Sequence, residues 1–117
     1  MKEFLAVFVG GGFGSVLRYA ISIWWVKSGT LFPFGTLIAN ALAAIFIAVL
    51  YNLQIKQTSP WWWYLLAVGL CGGLSTFSTF SLETFQLMKS GHLQYAMLNV
   101  VLSAVGSVAI VWVLARE

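Results

Sequence analysis

Three acidic side chains among 117 residues leave little room for carboxylate chemistry. Glu3 and Glu117 stand at the two ends, so Glu83 is the one acid inside the hydrophobic part of the chain. Histidine is equally scarce, with His92 alone in a polar turn, and Cys71 is the only cysteine. Such a set offers no paired carboxylates, no nucleophile–base pair and no metal-ligand cluster. It also excludes an intrachain disulfide and a cysteine-based zinc site. Charged residues make up 8% of the chain, about a third of the roughly 25% usual in soluble domains. So few charges cannot cover a water-exposed surface. An all-α integral membrane protein in contact with a lipid bilayer is the expected class. The net charge of +3 comes from scattered single Lys and Arg residues, so no basic cluster points to nucleic acid. Conduction or transport is therefore a better expectation than enzyme chemistry.

What the sequence does contain is hydrophobic runs of membrane-spanning length. The first, at 4–26, begins after Lys2 and ends in the Trp24–Trp25 interfacial pair; it is expected to be a retained helix rather than a signal peptide. Gly10 and Gly14 give it a small-xxx-small face, with Ser15 beside them, and Arg18 lies within it. A polar turn at 27–30 leads to Pro33 and a second run at 34–53, whose strongly polar member is Asn40 with Thr36 one turn earlier. Residues 54–59 read as a loop, with Ser59 as N-cap and Pro60 at the first helical position. The third run, 61–88, opens on the belt Trp61, Trp62, Trp63 and Tyr64 and is interrupted by Gly72-Gly73, where a helix break is expected. After the turn at 89–92 the fourth run, 93–115, carries Asn99, Ser103 and Ser107 at spacings of four, on one helix face. One domain of four transmembrane helices, without repeats, is the expected organisation.

Four spans put both termini on one side. That side holds Lys2, Lys56 and Arg116; the other holds Lys27 and Lys89, with Arg18 towards it. Near-equal counts do not choose an orientation. The expectation is insertion both ways and an antiparallel, dual-topology homodimer.

Residues 71–81, C-G-G-L-S-T-F-S-T-F-S, contradict their apolar surroundings. Polar groups at membrane depth are tolerated only where protein or a watery path satisfies them. Hydroxyls and amides supply hydrogens to an anion without fixed charge, and no carboxylate ring draws in a metal cation. Phe77 and Phe80 share a face, and their ring edges carry partial positive charge. A helix restarting after the glycines would aim its positive end at mid-membrane. The carbonyls freed at such a break could instead hold a cation such as sodium. Arg18 is a candidate vestibule charge, and Glu83 a candidate polar or proton site.

Three stretches resemble the Fluc/CrcB family of small fluoride channels: G-G-G-F-G-S-V-L-R-Y at 10–19, F-P-F-G-T-L-I-A-N at 32–40 and C-G-G-L-S-T-F-S-T-F-S-L-E at 71–83. The third is the most specific, and the fourth helix agrees in length and in its Asn/Ser stripe. The resemblance implies an antiparallel homodimer in the bacterial inner membrane that exports fluoride passively through two pores. It implies a fluoride pathway along Asn40, Phe77, Ser78, Thr79, Phe80, Ser103 and Ser107, with Arg18 in the vestibule. It also implies a central structural sodium ion held by the backbone carbonyls of Gly72 and Ser75. The family usually has threonine where this chain has Ser75, a change that a carbonyl ligand should survive. A glycine common after the asparagine is absent from 41–44. The alternative is a small proton-coupled multidrug-type transporter of dual topology. That mechanism needs an acid in the first span, where this chain has Arg18. A purely structural subunit would leave the polar third run unexplained.

Overall fold

The computed structural model describes residues 1–27, 29 and 31–115. Ser28 and Thr30 of the first expected turn lie outside the described residues. So do Arg116 and Glu117, and with Arg116 one charge of the orientation count. Four helical segments are long and apolar enough to cross a bilayer: Lys2–Val26, Phe34–Asn52, Pro60–Lys89 and Leu93–Leu114. We label Lys2–Val26 α1 and Phe34–Asn52 α2. A four-residue helix, α3 (Ile55–Thr58), sits in the stretch expected as loop. The third span is two helices, α4 (residues 60–74) and α5 (Ser78–Lys89), and Leu93–Leu114 is α6. The folded chain measures 48 × 28 × 21 Å, its long axis close to the roughly 40–45 Å of a bilayer with its headgroups.

Bulk is distributed as lipid requires. Alanines 6, 39, 43, 44, 48, 67 and 96 are buried, while Phe4, Phe8, Phe13, Trp24 and Trp112 are exposed. The largest fully buried side chains are polar, Asn99 and Thr36. Lipid tails are as apolar as leucine, so helices gain little by hiding large aliphatics and associate through close backbone packing instead. The tightest crossing joins α1 to α4. A Cβ at Gly10 would strike the Leu65 carbonyl oxygen, one at Gly14 the Leu70 carbonyl oxygen, and one at Gly73 the Gly11 carbonyl oxygen. The small face expected on α1 thus meets a second pair of the same spacing, Gly69 and Gly73.

This packing corrects the expected site of the break. Gly72 keeps helical angles, φ −62° and ψ −37°, and α4 runs on to Leu74. The chain leaves the helix at Ser75, with φ −79° and ψ 157°, and re-enters it at Ser78. Gly73 serves the contact with α1; the helix stops where hydroxyl side chains can take over the backbone hydrogen bonds. Two segments are wound as π-helix, Tyr64–Cys71 in α4 and Val101–Val105 in α6. Such widened turns recur at functional sites.

The remaining ends follow local chemistry. Ser59 is the residue before α4 and Pro60 stands in its first turn, where a missing N–H costs nothing. Gln54 takes a left-handed φ of 53°, and the hydroxyl of Thr58 donates back to its carbonyl at 3.0 Å, closing the turn that becomes α3. After α5, Gly91 supplies the positive φ, 86°, of the turn into α6.

Candidate functional site

The break between α4 and α5 is stabilised by side chains. In an uninterrupted helix the Thr76 N–H would bond to the Gly72 carbonyl; here it is donated to Asn40 Oδ1 at 2.9 Å. The Thr79 N–H, which would reach the Ser75 carbonyl, goes to Thr76 Oγ1 at 3.2 Å. The Gly73 carbonyl receives Arg18 Nε at 3.1 Å. Ser75 turns its own hydroxyl back to the Cys71 carbonyl at 3.0 Å. The helical donors of the Gly72 and Ser75 carbonyls are therefore engaged elsewhere, and Gly72 borders open space. Two carbonyl oxygens without their helical partners, beside a glycine that leaves room, fit the oxygen-ligand chemistry of a hard monovalent cation. Among the described residues no group of three His, Cys, Asp or Glu side chains stands ready for a transition metal.

Around the break lies a groove of about 410 Å³. Asn40 of α2, Phe77 and Phe80 at the start of α5, and Ser103 and Ser107 of α6 line it, with Gly72 and Ser75 at its edge. These are seven of the residues singled out from sequence, and the fold brings them together. The rings of Phe77 and Phe80 lie 5.7 Å apart at 45°. Phe77 is 79% exposed, its ring at the edge of a groove walled mostly by small apolar side chains, Ala43, Ala44, Ala67 and Ala104 among them. Because an N–H needs an acceptor, the Thr76 contact fixes the Asn40 amide with Oδ1 towards the backbone, leaving its NH₂ on the other fork. The start of α5, the positive end of its dipole, lies beside the same groove through Phe77 and Phe80. The site offers hydrogens, ring edges and no carboxylate.

Other expected residues stand elsewhere. Ser78 and Thr79 occupy the first turn of α5 but do not line the groove. Arg18 is half-buried on α1 with its Nε on the Gly73 carbonyl, behind the groove. Its charge thereby faces the C-terminal end of α4, where a cation is favoured. Glu83 lies in a separate pocket of about 330 Å³ with Ser22, Trp25, Thr36, Gln86 and Ser90. Its Oε1 and the Thr36 Oγ1 are buried without a hydrogen-bond partner among the described residues. Sequence reasoning gave Thr84 no place in the site. Its hydroxyl donates to the Phe80 carbonyl at 2.8 Å and accepts from Asn99 Nδ2 at 2.9 Å. A threonine four residues after Phe80, one helical turn on, was the available signal.

Residues 5–114 match the family model described as CrcB-like protein, Camphor Resistance (CrcB). The chain is 43% identical over 110 residues to a protein of Leptospira interrogans, covering 92% of this chain and 87% of the relative. It is 42% identical over 109 residues to a protein of Serratia proteamaculans, with coverage of 92% and 86%. To one from Shewanella oneidensis it is 48% identical over 105 residues, covering 88% and 85%. All three relatives bear the name Fluoride-specific ion channel FluC.

Proposed function

The chain belongs to the CrcB-like family, whose matched members are named as ion channels and not as enzymes, and on that premise we propose that it is a passive, fluoride-selective channel. The observation that carries this reading is the groove where Asn40, Phe77, Phe80, Ser103 and Ser107 meet at the helix break. A small, strongly hydrated anion must exchange its water for donors. The Asn40 NH₂, the two serine hydroxyls and the edges of the two rings are such donors, and none carries a fixed negative charge that would repel the ion. Ser78 and Thr79, on the first turn of α5, stand outside the groove and would join the path only beyond it. Arg18 raises the local positive potential without entering the path.

The functional unit in this reading is an antiparallel homodimer of dual topology with two pores. Its support is the near-equal charge count of the two sides, the ring of Phe77 left outside the subunit and the open flank of Gly72. A second, inverted copy would cover both. The carbonyls of Gly72 and Ser75, with their equivalents, would then hold a structural sodium ion, which when bound neutralises oxygens that the break leaves without donors. The location is the bacterial inner membrane, multi-pass, and the physiological result is export of cytoplasmic fluoride and resistance to it. A proton-coupled multidrug-type mechanism has less support, because Glu83, the acid inside the hydrophobic part of the chain, lies outside the groove.

The direct test is efflux of fluoride and of chloride from liposomes containing the purified protein. Fast fluoride loss with little chloride loss is expected. Equal rates for the two anions, or no fluoride loss, overturn the reading.

A further inference from the structure

Behind the groove wall a second set of polar side chains joins α5 to α6. Asn99 is fully buried in α6, two residues before the π-helical segment begins. Its Nδ2 donates to Thr84 Oγ1 at 2.9 Å, and its Oδ1 accepts from Ser103 Oγ at 3.5 Å. Thr84 Oγ1 in turn donates to the Phe80 carbonyl at 2.8 Å. A threonine bonded to the carbonyl four residues back is commonplace in a membrane helix. The same oxygen receiving a donor from a neighbouring helix is not. Thr84 thus has its hydrogen directed to Phe80 and its lone pair to Asn99, and its rotor is fixed.

We propose that Asn99 and Thr84 are positioning residues for fluoride passage, which set Phe80 and Ser103 against each other across the groove. This rests on the channel reading. Asn99 does not line the groove, yet both of its fork ends lead there. One leads through Thr84 to the backbone that carries the Phe80 ring; the other leads to the Ser103 hydroxyl. The second contact is long for a hydrogen bond between side-chain oxygens. Ser103 therefore rests on Asn99 weakly and can turn its hydrogen to an anion in the groove at small cost, while Asn99 stays held by Thr84. A carboxamide suits the place because one donor and one acceptor on a rigid fork serve the two neighbours at once.

The test uses the full-length protein in liposomes. Thr84→Val removes the hydroxyl at constant shape, Asn99→Leu removes the fork, and Thr84→Ser keeps the hydroxyl. Fluoride efflux should fall about tenfold in Thr84→Val and in Asn99→Leu, the scale of one lost buried hydrogen bond. It should fall no further in the double variant, since the two act as one unit. Thr84→Ser should stay within about twofold of the parent. A readout independent of flux accompanies it: ¹⁹F NMR of the protein carrying 4-fluorophenylalanine at position 80. One narrow resonance is expected for the parent and for Thr84→Ser, with broadening or splitting in Thr84→Val and Asn99→Leu. An unchanged resonance in both variants overturns the positioning role, whether or not the protein conducts. So does a double variant whose flux loss is the product of the two single losses. A parent that does not transport fluoride sinks the channel reading alone, and the resonance still decides the role of Asn99 and Thr84.

Discussion

Asn40 faces two ways, and the two faces predict different outcomes for different replacements. Its Oδ1 holds the Thr76 amide at the break, while its NH₂ is the donor left over. Asn40→Leu removes both and leaves a half-buried N–H unpaired, at a cost towards the lower end of about 1–3 kcal/mol. Asn40→Asp keeps an acceptor for Thr76 but places a carboxylate in the groove. We expect Asn40→Leu to lower thermal stability in detergent and Asn40→Asp to spare stability while suppressing fluoride efflux, so that melting curves and liposome assays separate the roles. For the aromatic pair, Phe77→Ile or Phe80→Ile should cut efflux while leaving the oligomeric state unchanged, measured by flux and by size-exclusion chromatography. Full flux in both variants would remove the rings from the mechanism. Arg18 shows what a sequence conveys of a residue and what it withholds. That an arginine in a membrane span must have a purpose was legible; that its Nε reaches the carbonyl of Gly73, 55 residues away, was not. No local pattern encodes a contact between two helices.

At the scale of the element, the third span is the informative case. Its length, aromatic start and interruption were readable from 61–88, because composition and turn chemistry are local. The position of the break was not, since glycine serves two ends in a helix: it loosens the backbone, and it lets another backbone approach. Gly73 is used for the second, and the helix ends three residues beyond the first glycine, at Ser75. Gly69 went unread for the same reason, although it stands four residues before Gly73 just as Gly10 precedes Gly14. The stripe Asn99, Ser103 and Ser107 was legible by its spacing, whereas the π-helical turn through Ser103 was not. The two glycines of the break should therefore respond oppositely. Gly73→Ala forces a methyl into the Gly11 carbonyl and should destabilise the subunit by about 1–3 kcal/mol, as overpacking does. Gly72→Ala meets nothing within the subunit and should leave its helicity and melting unchanged, acting on assembly instead. Circular dichroism melts and crosslinking yields in liposomes check the pair; equal melting losses would contradict the separation.

For the whole molecule, the balance of charge on the two sides becomes a handle. A few lysines added to the turns of one side should bias every copy to a single orientation. If the working unit is antiparallel, such a variant should lose fluoride resistance in cells, and so should its mirror variant with lysines on the other side. Expressing the two together should restore it. Resistance retained by either variant alone would rule out the inverted pair.

The bond from Arg18 to Gly73 also has a consequence in time. A nascent chain grows at about 5–20 residues per second, so the roughly 55 residues separating the partners take about 3–11 s to appear. Throughout that interval α1 carries a guanidinium whose partner carbonyl is not yet made, at a cost below the roughly 2.5–3.5 kcal/mol of an arginine at the helix centre. The first helix is thus left waiting for the third span. The ribosome must deliver α4 before α1 can settle, so the earliest helix made is not the earliest one completed.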